Sequence, residues 1–256
     1  DWYYFKVPVN RPINLMLNNQ NNGRQFNFLT DPVKSAAYEI EIGATNGDPT
    51  IWTEVEIPVI LEPTMYMIGS QFGNWEWSSD EVVEMTPVYD NPGHFWAVRY
   101  IIAGEAFKWF PGRGWDNGFN TLGTELGYVL VGGDAAVAAD GMYMIYVDME
   151  NSQISLEPAK VYGIGNAFGN WDQATHVFTV ENQTMVITTT KDSDELRIYA
   201  RSDIDPVGGD WWKMEFILRA GVIEYRGNGG DQHPRVAVSA GQKITLDFNA
   251  GTGTIQ

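Results

Sequence analysis

A short turn that ends in tryptophan occurs twice in this chain. Residues 69–75 read Gly-Ser-Gln-Phe-Gly-Asn-Trp, and residues 165–171, 96 positions further on, read Gly-Asn-Ala-Phe-Gly-Asn-Trp. A Gly-Gly-Asp triplet at 132–134 returns at 229–231, 97 positions further on. Glycine and asparagine are typical of surface turns, and an indole has a flat apolar face. The pattern therefore predicts two equivalent sites at which exposed aromatic rings stack on a ligand.

A second tryptophan follows each turn, in or just after a glycine-containing loop. Trp115 lies within Gly112–Gly118, and a Trp-Trp pair follows the loop Asp203–Asp210. A sugar ring has an apolar face of C–H groups, and an indole buries that face while the hydroxyls stay in water. Each such contact contributes on the order of 1 kcal/mol, by analogy with aromatic pairs. One site would bind weakly, and two linked sites raise the avidity for a polymer. The candidate stacking residues are Trp75 or Trp77 with Trp115, and Trp171 with Trp211 or Trp212.

The other interpretation of these residues is that they pack in a core. Trp75 and Trp171 could lie beneath their own turns, whereas Trp115 and Trp211 follow loop residues and are better candidates for exposure. Trp96 and Trp109 lie inside strand patterns, so we expect them to be core or strand-face residues.

Two basic residues occupy matching positions in apolar strands. Lys108 follows Phe107 and precedes Trp109, and Arg197 stands at the equivalent place in the second copy. Alternation along a strand turns Lys108 to the face opposite its neighbours, so simple solvent exposure is one interpretation. The other is a cation that donates hydrogen bonds to sugar hydroxyls at the edge of the aromatic surface. Arg113 and Arg201 are reserve candidates for the same role.

Metal binding is poorly supported by the pattern of acidic residues. The Gly-Gly-Asp triplets could be calcium turns, and Asp203, Asp205 and Asp210 are clustered. Calcium requires six or more oxygen ligands, no EF-hand spacing is present, and turn chemistry alone explains Gly-Gly-Asp. We therefore predict no metal and no cofactor.

Catalytic groups are also poorly supported. The three histidines, His94, His176 and His233, stand in unrelated contexts, and there is no nucleophile elbow, phosphate loop or zinc motif. A glycosidase would need two carboxylates about 5–10 Å apart. Glu76 next to Trp75 is one candidate, but its counterpart in the second copy is Asp172. The sequence predicts a protein that is not an enzyme.

Composition points to a neutral ligand. The 256 residues carry a net charge of −17 and no cysteine. The charge argues against nucleic acid and anionic membranes as partners, and the absence of cysteine excludes disulfides and cysteine-bound metals. No apolar run is long enough for a transmembrane helix, so any membrane anchor would lie upstream of this chain.

The hydrophobic pattern predicts an all-β fold of tandem β-sandwiches. Apolar and polar residues alternate in short segments between Gly/Asn turns, and no twelve-residue stretch has a helical period. Residues 1–62 share no motif with the repeats and are predicted to form an immunoglobulin-like β segment, which we expect to be partial. Residues 63–158, the first module, and 159–256, the second module, are predicted to form two sandwiches.

The order of motifs in this chain is a strand, a Gly-x-x-x-Gly-x-Trp turn, a Phe-Lys-aromatic strand, a Gly-rich Trp loop and a Gly-Gly-Asp tract. In this order the chain resembles the SusE/SusF-type surface glycan-binding lipoproteins of Bacteroidota. The resemblance covers residues 63–256 and is weaker before them. It implies a lipid-anchored, non-enzymatic protein on the extracellular face of the outer membrane. Such a protein would hold starch-like α-glucan beside a SusC/SusD-type importer, although another polymer remains open.

The resemblance also implies site residues. The aromatic surface would fall on Trp75 and Trp115 with Lys108 as the basic donor in the first module. In the second it would fall on Trp171 and Trp211 or Trp212, with Arg197 as the donor. The chain departs from the family pattern in the additional Trp77, in the arginine that replaces lysine, and in a longer second loop.

Two other functions remain open at this stage. One is an adhesin or accessory subunit whose tryptophans form a protein interface, because aromatic residues also mark such interfaces. The other is a fragment of a glycoside hydrolase whose catalytic domain is absent.

Overall fold

The structure is a computed structural model that describes residues 61–119, 127–226 and 229–256, together with four strands nearer the N-terminus. The chain forms two compact units, residues 1–59 and 60–256. In the first unit the four strands form two antiparallel pairs, β1 with β2 and β3 with β4. They are β1 (Asn14–Asn19), β2 (Arg24–Leu29), β3 (Ala37–Glu41) and β4 (Ile51–Val55). The immunoglobulin-like character predicted for residues 1–62 depends largely on residues outside the described part.

The described residues of the first module form two antiparallel sheets. The outer sheet has the strand order β10-β11-β9-β5-β6, and the middle sheet has the order β13-β12-β8-β7. The strands are β5 (Tyr66–Gly69), β6 (Val83–Glu84), β7 (Thr86–Pro87), β8 (His94–Ile101), β9 (Phe107–Phe110), β10 (Val129–Val131), β11 (Asp134–Ala136), β12 (Gly141–Asp148) and β13 (Gln153–Pro158).

In the second module, the described strands form one antiparallel sheet in the order β15-β14-β18-β19-β20-β22-β21-β17-β16. They are β14 (Lys160–Ile164), β15 (His176–Val177), β16 (Thr179–Glu181), β17 (Thr184–Thr188), β18 (Arg197–Arg201), β19 (Glu215–Arg219), β20 (Val222–Tyr225), β21 (Lys243–Asp247) and β22 (Thr252–Ile255). One buried cluster contains residues from both ends of this sheet: Ile198 and Phe216 from β18 and β19, and Met185 and Ile244 from β17 and β21. The sheet therefore closes on itself as a sandwich.

The middle sheet is buried on both faces. Along β8, Phe95 and Ala97 point into the core of the first module. The alternate residues Trp96 and Val98 belong to the core of the second module. A strand covered on both sides has an almost continuous apolar sequence, as residues 94–102 of this chain have. The two modules thus share one layer of β-sheet.

Cross-module contacts of Trp96 show how closely the modules pack. Its ring lies 6.3 Å from that of Phe216 and 5.8 Å from that of Tyr225, centroid to centroid. The backbone N–H of Tyr100 donates to Oδ1 of Asn249 at 2.8 Å, and the amide of Asn249 donates back to the carbonyl of Tyr100 at 3.0 Å. Residues 60–256 are accordingly one packed body.

The all-β prediction is confirmed, and Trp96 and Trp109, expected to be core or strand-face residues, are buried. In the described part of the chain the helices are two short 3₁₀ turns, Asn166–Phe168 and Trp211–Met214, and none could cross a membrane. The first Gly-Gly-Asp triplet forms a hairpin between β10 and β11. Gly132 and Gly133 both have positive φ, 62° and 93°, as a two-residue type I′ turn requires.

Candidate functional site

The outer face of the outer sheet carries the aromatic residues of the first module. Alternation along β9 buries Phe107 and Trp109 in the sandwich core and turns Lys108 and Phe110 to the opposite face. There Phe110 forms a small second cluster with Ile68, Val82, Tyr66 and Trp77. This cluster is the base on which the exposed rings rest.

Trp115 stands on that base and pairs with Trp75. Its ring meets those of Phe110 at 5.5 Å and Trp77 at 5.3 Å edge to face, and that of Trp75 at 6.4 Å with an interplanar angle of 28°. Trp115 is 56% exposed. We call Trp75 and Trp115 the first platform; Trp77 supports it from below, because its indole packs into the cluster and its Nε1 is buried.

The backbone that leads to Trp75 has an uncommon conformation. Gly73, Asn74 and Trp75 all have positive φ, at 80°, 47° and 62°, and the N–H of Trp75 donates to the carbonyl of Gly69 at 3.2 Å. Glycine and asparagine tolerate the left-handed region, but a bulky residue there is uncommon and is held by its surroundings. The turn therefore uses strained backbone to project an indole.

The second module repeats the arrangement. Trp171 and Trp211 lie 6.3 Å apart at 46°, and Trp211 rests on Tyr199 at 5.6 Å. Trp171 is 49% exposed. Its ring lies against Gly165, where an added methyl group would come within 3.2 Å of the indole. We call Trp171 and Trp211 the second platform.

The supporting ring comes from the same place in both modules. Phe110 stands two residues after Lys108, and Tyr199 stands two residues after Arg197, so each supporting ring shares its strand face with the basic residue. The supporting distances, 5.5 and 5.6 Å, and the platform distances, 6.4 and 6.3 Å, agree closely between the modules. The repeat in the sequence is therefore also a repeat in geometry.

The duplicated Gly-Gly-Asp motif supplies the acid that pairs with the duplicated base. Asp134 forms an ion pair with Lys108, Nζ to Oδ1 2.7 Å. Asp231 accepts from Nη2 of Arg197 at 2.6 Å. Sequence reasoning explained these aspartates by turn chemistry and missed the pairing. The sequence contained a sign of this pairing, because the basic residue and the Gly-Gly-Asp motif both recur in the second module, at positions 197 and 229–231.

The two basic residues differ in their surroundings. The side chain of Lys108 is 35% exposed and has Asp134 as its ion-pair partner. The side chain of Arg197 is 7% exposed and also contacts Glu195 and Glu215. Its Cζ lies 6.0 Å from the ring centroid of Trp211, so the guanidinium adjoins the second platform but is enclosed by carboxylates.

This enclosure shifts the pKa values of two of the acids in opposite directions. Burial raises the pKa of Glu215, and hydrogen bonds from Arg226 and Arg197 offset only part of that effect. Partial burial also acts to raise the pKa of Asp231. There, however, hydrogen bonds from Arg197, the backbone N–H of Gln232 and Arg235 prevail and lower the pKa to about 2. Asp231 is thus a fixed anion at neutral pH.

Trp212 does not join the second platform. Its ring contacts Tyr89 of the first module at 5.5 Å, with Cζ of Arg226 5.2 Å from its centroid and Nζ of Lys213 at 5.9 Å. Trp211 and Trp212 are neighbours in a 3₁₀ turn, where successive side chains point in different directions. The prediction left both residues open; the structure brings only Trp211 to Trp171.

Arg113 and Arg201, the reserve candidates for the basic donor, instead hold loops in place. Arg113 donates to the carbonyl of Trp77 at 3.0 Å, which ties the Trp115 loop to the first turn. Arg201 donates to Asp205 at 3.0 Å and to the carbonyl of Gly208 at 2.8 Å, which fixes the loop before Trp211.

The clustered aspartates that were considered as calcium ligands, Asp203, Asp205 and Asp210, also have protein partners. Asp205 also accepts from the backbone N–H groups of Ser202 and Val207, and Asp203 pairs with Lys160. Asp210 lies 3.6 Å from the ammonium of Lys213. Within the described ranges, no three His, Asp or Glu side chains are grouped as metal ligands.

Comparisons with known proteins assign both modules to one family. The family model described as SusF/SusE starch-specific CBMs, that is, carbohydrate-binding modules, matches residues 64–155 and again 160–254. The chain belongs to the SusF/SusE family of starch-specific carbohydrate-binding modules. The predicted family is thereby confirmed, and with it the prediction of a binding role rather than a catalytic one.

One relative of this family, SusF, can be compared both in sequence and in structure. The chain is 32% identical over 214 residues to the outer membrane protein SusF of Bacteroides thetaiotaomicron, a match that covers 75% of the chain and 43% of that protein. The crystal structure of SusF from the same organism superimposes with a TM-score of 0.68 at 31% identity, covering 76% of the chain and 47% of that structure. The chain thus spans less than half the length of the relatives it matches.

Proposed function

We propose that this SusF/SusE-family chain binds a starch-type α-glucan, without cleaving it, through its two platforms. The observation that carries the proposal is the matching pair of indole surfaces, Trp75 with Trp115 and Trp171 with Trp211, in equivalent turns and loops of the two modules. One ring of each pair, Trp115 or Trp171, is exposed, and the other is partly buried. Both surfaces are supported from below by an aromatic ring and bordered by a basic residue.

The shape of each platform suits a curved sugar chain. The two indoles meet at 28° in the first platform and 46° in the second, so neighbouring glucose rings can each lie on one indole while the chain bends between them. Each stacking contact contributes on the order of 1 kcal/mol beyond area burial. A single platform should therefore bind weakly, and a polymer that reaches both should be held more tightly.

The proposed location is the extracellular face of an outer membrane, with an anchor upstream of this chain. The support is the relative named outer membrane protein SusF and the net charge of −17, which suits a neutral ligand. We further propose that the chain delivers bound glycan to a SusC/SusD-type importer. This partnership rests on family membership and can be tested by co-purification of such an importer with the chain.

Titration calorimetry with maltoheptaose tests the binding function. We expect saturable heat with about two sites per chain, and about one site in Trp115→Ala or Trp171→Ala, since each change removes the more exposed ring of one platform. Val180→Ala, an exposed apolar residue on strand β16, is the matched control and should keep both sites. Absence of heat from the intact chain would overturn the proposal and favour a protein partner for the aromatic surface.

A further inference from the structure

We propose that the second platform continues across the module boundary onto a third aromatic pair, Trp212 with Tyr89, which binds the further glucose residues of a long α-glucan. The pair takes one ring from each module, so neither module contains it alone. The inference rests on the proposed glycan-binding function and assigns to the second platform a preference for long chains.

The Tyr89–Trp212 pair resembles the two platforms in its geometry. Its ring centroids lie 5.5 Å apart at an interplanar angle of 48°, against 6.4 Å at 28° in the first platform and 6.3 Å at 46° in the second. Like each platform it consists of one exposed ring, Tyr89 at 36%, and one partly buried ring, Trp212. A ring pair that only filled the module boundary would gain most by burying both rings, whereas a tilted pair with one open ring can stack on a sugar.

Trp212 lies on the same face of the second-module sheet as the second platform. Trp211 rests on Tyr199 of β18, and Tyr199 pairs in register with Glu215 of β19, so these two side chains share a face. Arg226, the residue after β20, donates to Glu215 and places its guanidinium 5.2 Å from the ring centroid of Trp212. The supports of the two indoles are thus two strand spacings apart, about 10 Å. A glucan that lies on Trp211 and continues across the strands therefore reaches Trp212.

Tyr89 is held in place by residues of both modules. Its backbone N–H donates to the hydroxyl of Tyr225 at 3.1 Å, and that hydroxyl donates to the carbonyl of Lys213 at 2.6 Å. The side-chain amide of Asn91 donates to the carbonyl of Tyr89 at 2.8 Å. The phenol lies against Gly229, where a side-chain methyl group would overlap it. A ring fixed in this way loses little conformational freedom when a ligand binds.

The hydroxyl of Tyr89 adds a polar contact to this surface. In the part of the chain that the structure describes, no residue hydrogen-bonds to it, so it can donate to a sugar hydroxyl or accept from one. An oligosaccharide too short to pass Trp211 gains nothing from this pair, whereas a longer one gains a stacking contact and a hydrogen-bond partner. We therefore expect the second platform to bind long glucans more tightly than short ones.

The test uses Trp115→Ala, which leaves the second platform as the binding site, and two ligands, maltotriose and maltoheptaose. Both are titrated by NMR on the indole ¹⁵N–H signals, which measures weak binding as well as strong. Tyr89→Ala should weaken maltoheptaose binding about fivefold, the loss of one aromatic contact, and leave maltotriose binding unchanged. Tyr89→Phe keeps the ring and should retain most of the preference for the longer sugar. Ile102→Ala, an exposed apolar residue of the first module, is the matched control and should change neither affinity.

The same titrations show where the longer sugar lies. Trp212→Ala identifies the Trp212 indole signal by its absence. We expect that signal to shift with maltoheptaose and to stay in place with maltotriose, while the signal of Trp171 shifts with both. Thermal unfolding confirms that each variant is folded.

Three results would overturn the inference. The first is an unchanged affinity for maltoheptaose in Tyr89→Ala, and the second is an equal loss for both sugars, which would assign Tyr89 to the module boundary alone. The third is a Trp212 signal that stays in place when maltoheptaose saturates the site. Failure of the Trp115→Ala protein and of the intact chain to bind either sugar would instead overturn the proposed function itself.

Discussion

At the scale of single residues, the candidate site consists of indole rings, one exposed and one partly buried in each platform, whose positions are fixed by residues that a ligand would not touch. Trp115 rests on Phe110 and Trp211 rests on Tyr199. Trp75 is projected by a left-handed stretch that begins at Gly73. The ring that binds and the residue that orients it are therefore separate, and each can be changed independently.

Gly73→Ala should damage the first platform through its backbone. The glycine has φ of 80°, and a methyl group there would lie 2.7 Å from Cγ2 of Val82. Strain and clash together should lower the free energy of unfolding by about 1–3 kcal/mol and weaken maltoheptaose binding in the Trp171→Ala background. Urea unfolding and calorimetry measure the two effects.

Gly104→Ala is the matched control for this prediction. Gly104 has nearly the same φ, 78°, but open space where the methyl group would lie. Its replacement should cost only the backbone strain and leave binding unchanged. Equal losses of affinity in both variants would contradict the explanation.

Asp231 should make the free energy of unfolding depend on pH in the acidic range. Its pKa is about 2 in the folded chain against an ordinary value of 3.8, so its stabilising effect is complete above pH 3.8 and is lost as the pH falls through 2. Asp231→Asn should start with a lower melting temperature at pH 7 and lose less of it between pH 4 and pH 2.

Thermal melts across that window check the prediction. Asp172→Asn, an exposed carboxylate in no ion pair of the described residues, should follow the unmodified chain. If Asp231→Asn left the change of melting temperature with pH unaltered, groups other than Asp231 would be responsible for the loss of stability at low pH.

At the scale of secondary-structure elements, the sequence predicted the strands well where alternation or a continuous apolar run was long. The long apolar stretches at residues 94–102 and 141–147 correspond to β8 and β12. The short strands β10 and β11 were missed, because three residues give too little periodicity to separate a strand from a loop. The burial of the middle sheet on both faces also could not be foreseen, since its second covering layer comes from the other module.

The sequence pointed to the rings and to the basic residues Lys108 and Arg197 of the candidate site, but not to the acids that pair with those basic residues. The repeat pointed to Trp75, Trp115, Trp171 and Trp211, but nothing in the sequence separated Trp211 from its neighbour. The enclosure of Arg197 depends on Glu215 and Asp231, which lie 18 and 34 residues away along the chain. Only the strand pairing and the fold of the intervening loops bring those acids together.

Trp96→Ala tests the double burial of β8. Trp96 lies between the two modules and contacts Phe216 and Tyr225, so truncation of its ring should lower the free energy of unfolding by about 3–5 kcal/mol. Trp115→Ala removes the same side chain from the surface and should cost under about 1 kcal/mol. Urea unfolding compares the two; similar losses would contradict the assigned positions.

At the scale of the whole molecule, residues 60–256 form one compact unit although their sequence contains two repeats. The shared cluster includes Val98 and Met144 from the first module and Ile198 and Leu246 from the second. Removal of either module would expose the apolar face of the other. The repeat unit of the sequence is therefore not the folding unit.

Calorimetric unfolding should show this cooperativity. We expect residues 60–256 to melt in a single transition, with the calorimetric enthalpy equal to the van't Hoff enthalpy. Ile244→Ala, a core change in the second module, should lower the melting temperature of both modules together, followed separately by the near-UV signal of tryptophans in each. Two resolved transitions, only one of which moves, would contradict the shared core.

The shared middle sheet also affects how a long glycan would bind to both platforms. In most tandem binding proteins a flexible linker sets the effective concentration of the second site once the first is occupied, and that concentration falls as the linker lengthens. Here packed side chains such as Trp96 take the place of a linker between the platforms. The effective concentration is then set by the polymer, so its stiffness and helical pitch, rather than the protein's flexibility, decide whether one chain occupies both platforms.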